Sequence, residues 1–235
     1  MTVGEAGSTR AGALEGAELA TLYEVRLADD AYRDQVWSVL CRHHFQRWVD
    51  RSATFVEVGA GHCHWVNNVE AAQRIAVDLN PELGKHVAPG VTAMHGSATA
   101  LTGLADGSAG TVAMSNLLEH LTREQILDAL REAQRVLRPG GRLLILQPNI
   151  RYCARDYWMF FDHITPVDDR ALVEALGIVG LDPEVVAPRF LPFTMVGRRR
   201  TPTVLMRVYL RVPLLWRLFG QQAFVVARKA EPASS

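Results

Sequence analysis

The 235 residues suffice for one full-sized domain with a short extension and are too few for two independent cores. Apolar residues make up 49% and charged residues 21%, a globular mixture that excludes a disordered or fibrous chain. Lysine plus arginine and aspartate plus glutamate balance at 25 each, so the basic excess of a nucleic-acid binder is missing and no nucleic acid partner is expected. The charge is segregated nonetheless. Residues 1–30 hold six acidic and two basic residues, whereas Arg198 to Lys229 hold seven arginines, one lysine and no acid. Cys41, Cys63 and Cys153 are odd in number and far apart, and the N-terminus lacks the pattern of a secretory signal, which together predict a reducing, cytoplasmic setting. Arg207, Arg211 and Arg217 interrupt the most apolar stretch, so no membrane span is predicted.

In chain order, residues 1–20 have the composition of a flexible leader. A single domain is expected over 21–230, followed by a tail at 231–235. Tyr32, Val36, Leu40, Phe45 and Trp48 recur near a helical period and predict a helix from Asp30 to Val49, capped by Asp29 or Asp30. Short β-branched runs then follow at Thr54–Val58, Ile75–Val77, Val91–Met94, Thr111–Met114 and Arg142–Leu146. Segments long enough for helices separate them, notably Thr122–Leu137, and this alternation predicts an α/β fold with a parallel sheet covered on both faces. Pro139-Gly140-Gly141 reads as a sharp stop and turn before the fifth strand. Glu184–Pro188 and Ala223–Ala227 are two further strands. Between them, 198–220 is a basic amphipathic insert in which Pro213 ends the first helical piece.

The first strand, Thr54–Val58, runs into Gly59-Ala60-Gly61-His62-Cys63. In an open parallel sheet this turn lies at the carboxyl edge, where ligands bind. Asp78 ends the second strand, where its carboxylate can accept hydrogen bonds from ribose hydroxyls. A dinucleotide fingerprint needs a third glycine where this chain has His64, which disfavours NAD.

The spacing of Glu57, Gly59, Gly61 and a small residue at Cys63 resembles the first motif of the class I S-adenosylmethionine-dependent methyltransferases, with Cys63 in place of the last glycine. The resemblance continues through Val77-Asp78-Leu79-Asn80-Pro81, Gly96-Ser97-Ala98, Ser115–Leu121 and Leu137–Leu143, and covers residues 30–230. It implies a Rossmann-like, seven-stranded sheet whose last strand is antiparallel. It also implies S-adenosylmethionine as cofactor, held by Glu57, Gly59, Ala60, Gly61, Asp78, Leu79, Ser97, Ala98, Asn116 and Leu117. Ser97 stands where many members carry an acidic residue beside the adenine. The segment from Trp158 to Pro166 and the late basic insert are similar to a bacterial subgroup associated with biosynthetic gene clusters.

Methyl transfer from a sulfonium is an in-line displacement in which positioning is the main catalytic contribution. A hydroxyl acceptor also gains from a base near neutrality, for which histidine is suited. His163, in the crossover after the fifth strand, is the first candidate for that base or for orienting the acceptor, and His120 the second. His62 and His64 match no zinc spacing, and no metal is expected. His43 and His44 read as surface or partly buried residues. Tyr152, Tyr157, Trp158, Phe160 and Phe161 divide between core packing and a pocket wall. Tyr32, Arg33 and Trp37 are candidates to lid the cofactor, Arg33 by meeting its carboxylate, although a solvated arginine on an amphipathic helix accounts for Arg33 as well.

The expected function is methylation of a small-molecule hydroxyl on a sugar, glycolipid precursor or secondary metabolite. The alternatives are an NAD(P)-dependent oxidoreductase and a non-catalytic cofactor-binding partner protein. The basic insert adds peripheral contact with a membrane or a lipid-linked substrate, pocket cover and a homodimer contact as partner expectations.

Overall fold

A computed structural model of the chain describes residues 16–26, 30–193 and 200–231. The first fifteen residues of the expected leader, the cap candidate Asp29, Arg198 and Arg199 of the insert, and 232–235 of the tail lie outside the described residues. Helix α1 (Gly16–Arg26) begins inside the stretch expected to be a loose leader. Helix α2 (Asp30–His43) follows, and a 3-10 turn over Phe45–Trp48 replaces the end of the long helix expected there.

The next elements are β1 (Thr54–Val58), α3 (His64–Asn67), β2 (Gln73–Asp78), β3 (Val91–His95), β4 (Ala109–Ser115), α4 (Arg123–Val136) and β5 (Leu137–Pro148). After them come α5 (Ile150–Cys153), α6 (Asp169–Ile178), β6 (Leu181–Ala187), α7 (Thr203–Arg211), α8 (Pro213–Phe219) and β7 (Gln222–Lys229). The strands form one seven-stranded sheet in the order β3-β2-β1-β4-β5-β7-β6. The β1–β2, β1–β4, β2–β3 and β4–β5 pairs are parallel, while β7 runs antiparallel between β5 and β6. This is the Rossmann-like sheet expected from the motifs. The chain winds outward from β1 to β3 and then returns to place β4 on the other side of β1, which opens a crevice at their carboxyl ends.

The central strands are buried on both faces, which is why they read as continuous apolar runs. In β5, Leu143 and Ile145 join the layer under α4 and α6, whereas Leu144 and Leu146 join the layer under α2, α3 and α7. Helix α4 is capped by Thr122, whose hydroxyl accepts from the Gln125 N–H while the Gln125 side chain accepts from the Thr122 N–H. Its buried residues Ile126, Ala129, Leu130, Ala133 and Val136 follow the helical period onto the sheet. In the other layer Phe45 and Trp65 pack with ring centroids 4.5 Å apart. His44 lies in this nest rather than at the surface, 4.3 Å from the Phe190 ring, and burial followed by the charge of Arg47 pushes its pKa down to about 3.

Two local patterns differ from the sequence expectation. Pro139-Gly140-Gly141 is not a turn before β5 but an irregularity within it. Leu137 already pairs with Ala109, the register then shifts, and Gly140 takes φ +73°. The glycine-rich loop after β1 opens only one helical turn, α3, before the chain drops to β2. In the described part of the insert, Pro213 stands at the start of α8 and α7 packs on α2.

Candidate active site

The loop after β1 owes its shape to backbone demands. Gly59 and Gly61 hold φ of +72° and +52°. The Gly59 and Ala60 N–H groups donate to the Val77 carbonyl at 2.9 and 3.2 Å, fastening the loop to the end of β2. A Cβ on Gly59 would come within 2.9 Å of Leu117 Cδ1, so loop and post-β4 segment touch as closely as glycine permits. Cys63 caps α3 with φ 62°, so the residue that replaces the family's last glycine still adopts the left-handed conformation. For a side chain this costs roughly 1–2 kcal/mol. Asn116, at the end of β4, is a second residue of this kind at φ 48°.

Asp78 is 4% exposed and accepts from the Gly61 N–H on one oxygen and the Asn80 N–H on the other, both at 2.8 Å. Burial raises its pKa against the opposing pull of these bonds. A carboxylate has about four acceptor positions; the Gly61 and Asn80 N–H groups take two and the Tyr23 phenol a third, so a ligand's second donor would compete with Tyr23. Tyr23 of α1 lies against Asp78, its phenol pushed well up by burial and then by the Asp78 charge. It also meets the His62 ring edge-on. Sequence reasoning missed this residue, which sits in the expected leader.

Glu57 lies beneath the loop, fully buried, and accepts from the Val66 N–H at 2.8 Å. Burial pushes its pKa up to about 8. The folded protein therefore keeps a proton there that the unfolded chain releases near 4.5. Stability drawn from this group is full below the unfolded value and falls by about 1.4 kcal/mol per pH unit as pH rises toward the folded one. Glu57→Gln is expected to remove that slope, so urea unfolding of the two proteins should converge in acid and diverge in the variant's favour toward pH 8.

Leu79, Ser97, Ala98, Asn116 and Leu117 line the same crevice as Glu57, Gly59, Ala60, Gly61 and Asp78. The cavity has a volume of about 1700 Å³. Single small-molecule sites occupy about 300–1,000 Å³, so there is room for a cofactor and a second molecule. The same cavity is lined by His120 and His163, brought together with ring centroids 4.9 Å apart. His120 Nδ1 lies 3.2 Å from Asp162 Oδ2. Burial, then the charge of His120, pushes the His163 pKa down to about 4.

Arg26 of α1 pairs with Asp162 at 2.5 Å and lies over the Phe160 ring, closing α1 onto the segment that carries His163. Neither Arg26 nor Asp162 was expected, since 136 residues separate them and no local pattern links them. Glu119 is 1% exposed with neither carboxylate oxygen hydrogen-bonded. It too was unexpected, hidden in a segment that reads as a helix start.

The aromatic cluster after β5 does not divide simply between core and pocket wall, since Trp158 is 55% exposed and neither it nor Tyr152 lines the cavity. Tyr157 is buried and donates to the Thr165 carbonyl at 2.5 Å, while Phe160 and Phe161 line the cavity. Tyr32, Arg33 and Trp37 also reach it, and Arg33 donates to the Arg26 carbonyl at 3.1 Å.

Residues 56–145 match the family model described as a methyltransferase domain. A search of curated protein sequences returns no match. Among solved structures, an S-adenosylmethionine-dependent methyltransferase from Archaeoglobus fulgidus is 20% identical, with 84% of this chain and 94% of that one covered at a TM-score of 0.62. A putative methyltransferase solved with the Trm112 methyltransferase activator of Haloferax volcanii is 15% identical, covering 93% and 100% at 0.65. A geranyl diphosphate methyltransferase in complex with S-adenosylmethionine is 17% identical, covering 94% and 98% at 0.58. At these identities the likeness is one of fold. The crevice fits the cofactor: Asp78 has acceptor capacity to spare, and the loop's glycines let backbone approach a ligand.

Proposed function

We propose that this chain, whose residues 56–145 match a methyltransferase domain, is a class I, S-adenosylmethionine-dependent methyltransferase that methylates a hydroxyl of a small molecule, a sugar, glycolipid precursor or secondary metabolite. The observation that carries this reading is the pair of imidazoles, His120 and His163, in one cavity with Asp78. When bound, S-adenosylmethionine supplies a methyl group on a positively charged sulfur. Asp78 would take the ribose hydroxyls, and the Gly59–Gly61 backbone with Leu79, Ala98 and Leu117 would pack around the remainder. Ser97 would meet the adenine; its hydroxyl is tied to Thr99 at 2.9 Å.

With the cofactor bound, an acceptor hydroxyl would take the methyl group in line and would have to give up its proton. Asp162 fixes His120 by its Nδ1, so Nε2 is the atom that receives this proton and passes it to solvent. His163, neutral at pH 7, orients the hydroxyl with a ring lone pair. Phe160 and Phe193 exclude water from the in-line path.

An apolar tail on the acceptor suits the rim of the cavity. Leu205, Val208 and Phe219 of α7 and α8 line it, yet are 58%, 48% and 59% exposed. Arg207 and Arg211 lie beside them on the basic insert, a pairing suited to anionic lipid surfaces. No helix among the described residues is long and apolar enough to cross a membrane, so this contact is peripheral. The three free cysteines, all buried, suit a reducing, cytoplasmic setting.

Transfer of labelled methyl to acceptor pairs that share a hydroxylated head and differ in an apolar tail tests both parts. The expected product is an O-methyl ether, with a lower KM for the tailed acceptor and salt-sensitive co-sedimentation with anionic vesicles. Label on nitrogen or carbon overturns the hydroxyl. Equal KM values and no vesicle binding at low salt overturn the tail, and light scattering then tests whether the rim is covered by a second copy of the chain.

A further inference from the structure

Glu119 and His120 leave the turn after β4, and His163 arrives from the loop after β5. One donor atom from each lies within 4.8 Å of the other two. All three residues line the cavity. Glu119 is the unusual member, because both its oxygens are buried without a hydrogen-bond partner. A buried carboxylate is normally hydrogen-bonded, paired or bound to a metal. His163 Nδ1 is likewise buried and unpartnered. His120 is oriented by its other nitrogen: Nδ1 lies 3.1 Å from the Asp162 carbonyl oxygen and 3.2 Å from its carboxylate, leaving Nε2 4.0 Å from Glu119 Oε1. A carboxylate behind a histidine in this way is the usual support of a metal-binding imidazole. The nearby positive charge of Arg26 is taken up by Asp162 at 2.5 Å.

We propose that Glu119, His120 and His163 form a binding site for a divalent transition-metal cation at the acceptor end of the cavity. Two imidazoles and one carboxylate suit zinc, manganese, iron or cobalt and leave coordination positions open on the cavity side. Metal–donor bonds near 2.1 Å put neighbouring donors roughly 3–3.5 Å apart, so the three side chains draw together on binding. A cation there would occupy His120 Nε2 and so replace that ring as the proton acceptor, holding the acceptor oxygen and stabilising its deprotonated form instead. This role rests on the reading of the pocket as a hydroxyl-acceptor site, whereas cation binding itself does not.

The sequence pointed instead, and negatively, to His62 and His64. With Asp30 they also form a compact group, but its carboxylate is already engaged, at 2.8 Å from His62 Nδ1 and 3.1 Å from His64 Nε2, and half exposed. That group serves as the internal control.

The test uses the full chain, stripped with a chelator and titrated with cobalt(II) alone. One equivalent should bind and develop visible d–d absorption. Glu119→Gln and His163→Gln should each weaken binding at least about tenfold, while Asp30→Asn should leave it unchanged. If Glu119→Gln fails to fold, His163→Gln reads the same loss. S-adenosylhomocysteine titrated into the same samples should bind wild type and both variants alike, which separates a lost cation from a lost fold or cofactor site. Absence of stoichiometric cobalt binding, or binding lost in Asp30→Asn and kept in Glu119→Gln, overturns the site. Undiminished O-methylation by stripped protein that binds no cobalt would overturn the cation and leave the hydroxyl acceptor standing.

Discussion

Asp78→Ala is expected to weaken S-adenosylhomocysteine binding at least about tenfold. The carboxylate is 4% exposed at the end of β2, with one oxygen held by the Gly61 N–H and the other by the Asn80 N–H. Its remaining acceptor position, and the one Tyr23 takes, are those a ribose would use. Hydrogen bonds to a charged group are worth about 1.5–3 kcal/mol each, and a tenfold change corresponds to only about 1.4 kcal/mol. The substitution also strips the partner from the Gly61 N–H and loosens the loop, so affinity falls by two routes. Asp78→Asn separates them, because it keeps an acceptor for one backbone donor while losing the charge. Calorimetric titration with thermal melting decides the matter: unchanged affinity in a folded Asp78→Ala protein would sink the ribose assignment.

Most strand positions were legible because the central strands are buried on both faces, whereas the strand order was not read from the sequence. Thr111–Met114 and Arg142–Leu146 could be read as strands from their β-branched and aliphatic runs, whereas Val91–Met94, on the sheet's edge and largely exposed, was legible by β propensity alone. The motif residues also fix the cofactor end by local chemistry. Glycine at 59 is required by a left-handed backbone and a close neighbour in Leu117, and Asp78 follows from its place at a strand end. Helix α1 was illegible for the opposite reason. It buries no residue fully, so no apolar stripe announces it, and its hold on the domain comes from single polar and aromatic contacts made by Tyr23 and Arg26.

The acceptor end was half legible. His163 and His120 could be named by type and by their position after the fourth and fifth strands. Their juxtaposition could not, because it depends on how the chain between Ile150 and Pro166 folds back. That return is fastened by the Ile164 and Thr165 N–H groups donating to the Glu119 carbonyl at 2.9 and 3.2 Å, and by the Thr165 hydroxyl donating to the Leu121 carbonyl at 2.5 Å. These bonds bind two loops that sequence places more than forty residues apart. They also bury Glu119, whose side chain would be a solvated helix-start acid if the return were absent. His163 was ranked ahead of His120 from sequence, but the carboxylate partner falls to His120.

That partnership sets the last expectation: His120→Ala and His163→Ala should each reduce methyl transfer about 10²–10⁴-fold, the range for loss of a group that moves a proton in the rate-limiting step. The two rings are 4.9 Å apart and face one corner of the cavity, so they act on the same oxygen rather than on successive steps. Groups that act as a unit are not additive. The double variant should therefore be no more than a few-fold worse than the poorer single one. Affinity for S-adenosylhomocysteine should stay within about threefold of wild type in all three proteins, because Asp78 and the Gly59–Gly61 loop, not the imidazoles, are the groups proposed to hold it. The measurement is single-turnover transfer of labelled methyl to an acceptor found by the hydroxyl screen, with cofactor affinity read separately by calorimetry. A single variant that keeps turnover within about threefold removes that histidine from the reaction. Losses that multiply in the double variant would assign the two rings to separate steps.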